Sequence, residues 1–107
     1  MNLVFWGSKA GRHRELGDAL GTVIDPTRRE AGCLSCNLYQ SVENPDLWLV
    51  FEDWRSQEYL EAHLKTSHMK AFLRAVPRLV EGDLDRRMFL LVSPLPPTAD
   101  TSSSGSK

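Results

Sequence analysis

Apolar and polar positions alternate along this chain in two periods, and the switches between them divide it into elements. Residues 3–6 (Leu-Val-Phe-Trp) are apolar and β-prone and run into the turn sequence Gly7-Ser8-Lys9-Ala10-Gly11, which predicts a first strand. From Arg12 the period lengthens. Leu16, Ala19, Leu20, Val23, Ile24 and Thr27 fall on one face of a helix expected to end near Gly32, with Pro26 bending its last turn. A period of two returns over residues 33–40, where Leu34, Cys36 and Leu38 alternate with Ser35, Asn37 and Tyr39. Asn44-Pro45-Asp46 turns the chain into a third strand over residues 47–54, with Trp48, Val50, Glu52 and Trp54 on one face and Leu47, Leu49, Phe51 and Asp53 on the other. Ser56 is placed to cap a second helix, with Glu58 in its first turn, that carries Tyr59, Leu60, His63 and Leu64 inward. A second cap at Ser67 restarts it, setting Met69, Phe72, Leu73, Val76 and Val80 on one stripe, with a kink at Pro77 and a stop at Gly82. Residues 84–92, apolar on both faces at their end, make the final strand.

The order β-α-β-β-α-β predicts an α+β, ferredoxin-like split arrangement, in which two helices cover one face of an antiparallel four-stranded sheet. Two helices leave the other face open. Leu47, Leu49 and Phe51 on one side and Trp48 and Val50 on the other all need shelter, so a second copy stacked sheet on sheet is expected, a homodimer with a barrel-like joint sheet. The domain is expected to span residues 1–92. Residues 93–107, rich in Pro, Ser, Thr and Gly with little to bury, are expected to form a disordered tail.

Composition narrows the partners. With 13 Lys+Arg against 14 Asp+Glu, no basic face suited to nucleic acid is implied. No apolar run approaches the roughly 20 residues that span a bilayer, and the N-terminus carries no charged stretch followed by an apolar one, so a cytoplasmic protein without a membrane partner is expected. Cys33 and Cys36 form a lone Cys-x-x-Cys at the start of a strand. Residues three apart on a regular strand face opposite ways, so diverging core thiols are expected rather than a redox pair or half a zinc site.

Three side chains point to chemistry. Glu52 and Trp54 share a strand face, and His63 lies on the inward side of the helix above it, so a carboxylate, an indole and an imidazole are predicted to meet in one pocket. Asn37 and Tyr39, on one face of the second strand, supply an amide and a hydroxyl suited to a phenolic oxygen. On an unbroken helix His63 and His68 stand about 140° apart, too far round to chelate one ion, so no metal site is expected. No Gly-rich phosphate loop and no nicotinamide or flavin fingerprint is present, and no organic cofactor is expected.

Three segments together carry a family resemblance: Glu30-Ala31-Gly32-Cys33 leading into the second strand, Glu52-Asp53-Trp54 ending the third, and Ala62-His63-Leu64-Lys65-Thr66-Ser67-His68 in the helix after it. Their order and spacing resemble the antibiotic biosynthesis monooxygenase domain over about residues 3–92. The resemblance implies a dimeric ferredoxin-like α/β barrel and cofactor-independent oxidation of a small phenol or quinol by O2. It would make His63 the base or proton carrier, Trp54 an aromatic wall, Glu52 or Tyr39 orienting partners and His68 a group at the pocket rim. The sequence also departs from the pattern. Val50 and Leu60 stand about where the aromatic-polyketide oxygenases carry polar Asn and Tyr, which argues against a large polyketide substrate, and Cys36 replaces a usual Tyr, which implies a differently shaped pocket. His63 and Leu73 stand about where the haem-degrading branch has a Trp and an iron-binding His, which argues against haem. The stretch from His63 to His68 is also similar to relatives that act on a phosphorylated signalling ketone, a reading that requires Lys65 and a nearby Arg to face the pocket. A non-catalytic dimeric small-molecule binding protein is the alternative outside the enzymes.

Overall fold

In the computed structural model, which describes residues 1–93, seven elements follow one another: β1 (Asn2–Gly7), α1 (His13–Arg28), β2 (Cys33–Gln40), β3 (Leu47–Trp54), α2 (Gln57–Leu64), α3 (Ser67–Leu79) and β4 (Asp85–Met88). The strands form one sheet in the order β2-β3-β1-β4, with every neighbouring pair antiparallel. This is the ferredoxin-like α+β arrangement. The expected tail lies, apart from Ser93, outside the described residues.

Alternation decides what each strand buries. In β1, Asn2, Val4 and Trp6 are buried while Leu3 and Phe5 are half-buried on the other face. Val4 and Trp6 join Cys36 and Val50 from the sheet, Leu16, Leu20, Val23 and Ile24 from α1, and Met69, Phe72 and Leu79 from α3 in one core. Trp6 meets Phe72 edge-on, ring centres 5.1 Å apart. At Gly17 a Cβ would fall 2.5 Å from the Trp48 ring, so the missing side chain lets α1 sit down on β3.

Four boundaries differ from the periodicity. The first helix stops at Arg28 rather than near Gly32, and the next residues form a turn in which Gly32 adopts φ +84°, a conformation open to glycine and strained for other residues. The second helix is two helices, because Thr66, not Ser67, is the cap: its hydroxyl donates to the His63 carbonyl at 2.7 Å, closing α2, and accepts from the Met69 amide, opening α3. The register of β2 slips between Cys33 and Ser35, so Leu34 is the extra residue of a bulge and is 52% exposed instead of sharing the Cys36 face. The same bulge overturns the expected divergence of the thiols. Cys33 pairs with Trp54 and Cys36 with Glu52, two positions on one face of β3, so both thiols turn toward the helices, and both are free. Lastly, β4 covers only Asp85–Met88 of the expected 84–92: Met88 pairs with Asn2, and Phe89 exchanges backbone hydrogen bonds with Met1.

Candidate functional site

Four elements converge beneath α2. Glu52 reaches inward from β3, and His63, 1% exposed, comes down from α2. Asn2 stands beside Glu52 on β1, in register with it. Glu30 arrives from the turn that Gly32 makes possible, where a Cβ would fall 2.2 Å from the Tyr59 ring, so glycine also lets this turn tuck under α2.

His63 is held from both sides. Its Nδ1 lies 2.7 Å from Glu30 Oε2, and its Nε2 lies 3.7 Å from Glu52 Oε2. An ionised carboxylate only accepts hydrogen bonds, so Nδ1 carries a proton and donates it to Glu30. In the neutral ring Nε2 is then a bare acceptor, and it is buried with no hydrogen-bond partner. Glu52 is fixed by its other oxygen: Asn2 Nδ2 donates to Oε1 at 3.2 Å and Trp54 Nε1 at 3.0 Å. Asn2 Oδ1 is a second buried acceptor without a partner. The Trp54 ring lies against His63, centres 4.8 Å apart.

Glu30 Oε2 has another neighbour. His68 Nε2 lies 2.7 Å from it and sits within 3.2 Å of Thr66 Oγ1 and 3.4 Å of Thr27 Oγ1. The 140° separation expected for an unbroken helix does not apply, because the chain breaks at Thr66 between the two histidines. Donor atoms of Glu30, His63 and His68 all lie within 4.8 Å of one another.

A cavity of about 180 Å³ opens beside this cluster. Asn2, Thr27, Glu52 and His63 form its polar end, and Val4, Trp6, Leu20, Val23, Val50 and Phe72 are among its apolar walls. Leu64, Leu73 and Leu84, each about half exposed, and Arg86 complete it. Burial pushes the thiol of Cys36, which also faces the cavity, up to about 12, with Glu52 adding to the shift; Cys33 is raised in the same direction, by burial first and then by Glu52 and Glu30.

The structure thus brings together His63, Glu52, Trp54 and His68, but with Trp54 lying against His63 rather than lining the cavity. It does not bring in Asn37 and Tyr39. They pair with Phe51 and Leu49, the face of β3 opposite Glu52, and Tyr39 is 49% exposed. Of the two groups that the phosphorylated-ketone reading required, Lys65 caps α2 and is exposed, outside the cavity lining, whereas an arginine, Arg86, does line the cavity. Sequence reasoning missed two members. Asn2 is two and four residues before the inward Val4 and Trp6, so its polar side chain on the inward face was a readable signal. Glu30 was visible as the acidic position before Gly32, but nothing in its spacing tied it to two histidines more than thirty residues away.

The antibiotic biosynthesis monooxygenase model matches residues 2–75, more than half of the chain. The chain belongs to this family. Among its curated relatives, the Escherichia coli protein named Probable quinol monooxygenase YgiN is 32% identical over 79 residues, covering 64% of this chain and 76% of that one. The Synechocystis protein sll1783 is 34% identical over 68 residues, 64% of this chain, and the match spans less than half of its length, 46%. In structure, PA3566 from Pseudomonas aeruginosa superimposes with a TM-score of 0.76 at 28% identity over 84% of this chain and 92% of that one. Rv0793 from Mycobacterium tuberculosis gives 0.81 at 23% identity, over 89% and 96%, a likeness of fold. Membership of the antibiotic biosynthesis monooxygenase family supports a monooxygenase-like function, and no helix among the described residues is long and apolar enough to cross a membrane.

Proposed function

We propose that this member of the family is a monooxygenase that oxidises a single-ring phenol or hydroquinone with O2, without a bound cofactor. The observation that carries the reading is the acceptor-rich end of a cavity whose remaining walls, Arg86 apart, are apolar. His63 Nε2 and Asn2 Oδ1 are both buried without a donor, and a buried polar group left unpaired costs about 1–3 kcal/mol. A phenolic O–H supplies the missing donor while its ring fills the apolar part. Size agrees: an apolar cavity of roughly 150 Å³ accepts a benzene ring, and this one is about 180 Å³. A polyketide does not fit.

In the proposed reaction His63 Nε2 takes the hydroxyl proton, and Glu30 holds the ring in the tautomer that can receive it and stabilises the imidazolium that forms. Glu52, oriented by Asn2 and Trp54, lies on the other side of that imidazolium. The phenolate, held out of water, supplies electrons to O2, and a C–O bond forms at a ring carbon. Loss of the ring proton and cleavage of the O–O bond leave one oxygen on the ring and release the other as water. Phenol plus O2 gives quinone plus water, and hydroquinone plus O2 gives hydroxyquinone plus water, so no external reductant is needed.

Oxygen uptake with a panel of single-ring phenols and hydroquinones, corrected for their spontaneous oxidation, tests the reading. His63→Ala is expected to lower turnover by roughly 10²-fold or more, the usual loss for a general base. No enzyme-dependent uptake across the panel would leave a non-catalytic binding protein instead. The half-buried apolar face of Leu3, Phe5, Leu49 and Phe51 supports a homodimer as the working form.

A further inference from the structure

We propose that Glu30, His63 and His68 form a binding site for one divalent transition-metal ion of the zinc and cobalt class. Charge points there first. Glu52 is 6% exposed and the Glu30 side chain 14%, yet among the described residues neither carboxylate has a Lys or Arg partner; the basic groups within 4.0 Å of them are the imidazoles of His63 and, for Glu30, His68. Buried carboxylates are as a rule paired with a cation or bound to a metal.

Geometry gives the same place. Ligand atoms of a tetrahedral zinc, at bonds of ~2.0–2.1 Å, stand roughly 3.3–3.4 Å apart. The two N–O edges of 2.7 Å therefore widen by about 0.6 Å as the cation replaces the two hydrogen-bonding protons, and the nitrogens of His63 and His68, within 4.8 Å of each other, close by up to about 1.4 Å, a movement that side-chain rotation of the part-exposed His68 supplies. Two imidazoles and one carboxylate favour zinc, cobalt, nickel or copper over magnesium or calcium. The fourth position falls to water entering beside His68, whose side chain is 20% exposed, where the Thr27 and Thr66 hydroxyls can hold it. The ion would sit away from the substrate cavity, since neither Glu30 nor His68 lines it. It would nevertheless reach the chemistry through His63: with Nδ1 bound to metal, the neutral ring carries its proton on Nε2. On the proposed reading of His63 as base, which this consequence rests on and the site itself does not, a bound ion is inhibitory.

Cobalt titration of the purified, chelator-treated full chain provides the test. One equivalent is expected to give the visible bands of tetrahedral cobalt. Glu30→Gln and His68→Gln are each expected to weaken binding by roughly tenfold or more, the loss of a ligand exceeding that of an outer-shell partner. His13→Ala, whose ring lies against Asp46 instead, is expected to bind as before. Zinc followed by imidazole ¹⁵N NMR should show His63 losing its Nδ1 proton and carrying one on Nε2. Absence of saturable bands, unchanged affinity in both ligand variants, or metal on Nε2 of His63 would each overturn the site. Should Glu30→Gln fail to fold, His68→Gln, altered at a more exposed position, decides alone. None of these readings depends on turnover.

Discussion

At the scale of single residues, Glu30 matters more than its sequence position suggests. It is the acceptor that fixes which nitrogen of His63 is free, so Glu30→Gln should act on turnover more than on folding. The neutral amide stabilises an imidazolium weakly, and its NH2, when turned inward, forces the proton onto the wrong nitrogen. A fall in kcat of roughly 10²-fold or more, with a melting temperature near the parent's, is expected. Cys36 makes a second prediction. Its thiol, raised to about 12 chiefly by burial, stays protonated near neutral pH, so a disulfide-exchange reagent at pH 8 should label it far more slowly in the native than in the denatured chain. Because the folded value is above the unfolded one, this group's contribution to stability is fully present below the ordinary thiol range and is lost as pH climbs through about 12. Much of the cluster was legible in residue types: Glu52, Trp54 and His63 follow from two periodicities read together. Trp54, expected as a wall of the pocket, lies outside the cavity lining, its ring tilted 38° against His63 and its Nε1 donating to Glu52.

At the scale of elements, the surprises all come from single residues that interrupt a regular pattern. The strands of residues 33–40 and 47–54 and the buried stripe of α1 were readable because alternation and helical spacing run unbroken there. The bulge at Leu34 was not, since one extra residue leaves the alternation intact to the eye while turning Cys33 onto the Cys36 face. The break at Thr66 was misplaced by one residue because Ser67 is by type the better cap, and that break is what carries His68 back to Glu30. Gly32 is the testable case. It combines φ +84° with a Tyr59 ring where a Cβ would lie, so Gly32→Ala both strains the backbone and displaces α2. The backbone part alone is about 1–3 kcal/mol. A melting temperature lower by several degrees is expected, together with weakened cobalt binding, because the same turn delivers Glu30.

At the scale of the whole molecule, the sheet has two unequal faces. One is sealed by three helices and holds the cavity. The other presents Leu3, Phe5, Leu47, Leu49 and Phe51 in adjacent register, Leu3 beside Phe51 and Phe5 beside Leu49, a continuous apolar surface with Tyr39 at its margin. A face of this kind on an isolated domain is expected to associate, and a second copy with the same face would satisfy it by two-fold symmetry. Phe89, bonded through both backbone groups to Met1, and the exposed Leu90, Leu91 and Val92 after it add apolar area at the sheet edge. Phe51→Asp separates this assembly from the fold. Its side chain points away from the helices, so the substitution leaves the core packing untouched while setting a charge against its own copy across the two-fold. Light scattering is expected to give a dimer for the parent and a monomer for the variant at the same concentration, with far-ultraviolet dichroism unchanged. A parent that scatters as a monomer at micromolar concentration would overturn the dimer, and a variant that remains dimeric would place the joint elsewhere. The cavity gives the outcome a second consequence: its walls, as described within one chain, come from the helix-covered face, so ligand binding by the Phe51→Asp monomer measures how far the site is complete without a partner.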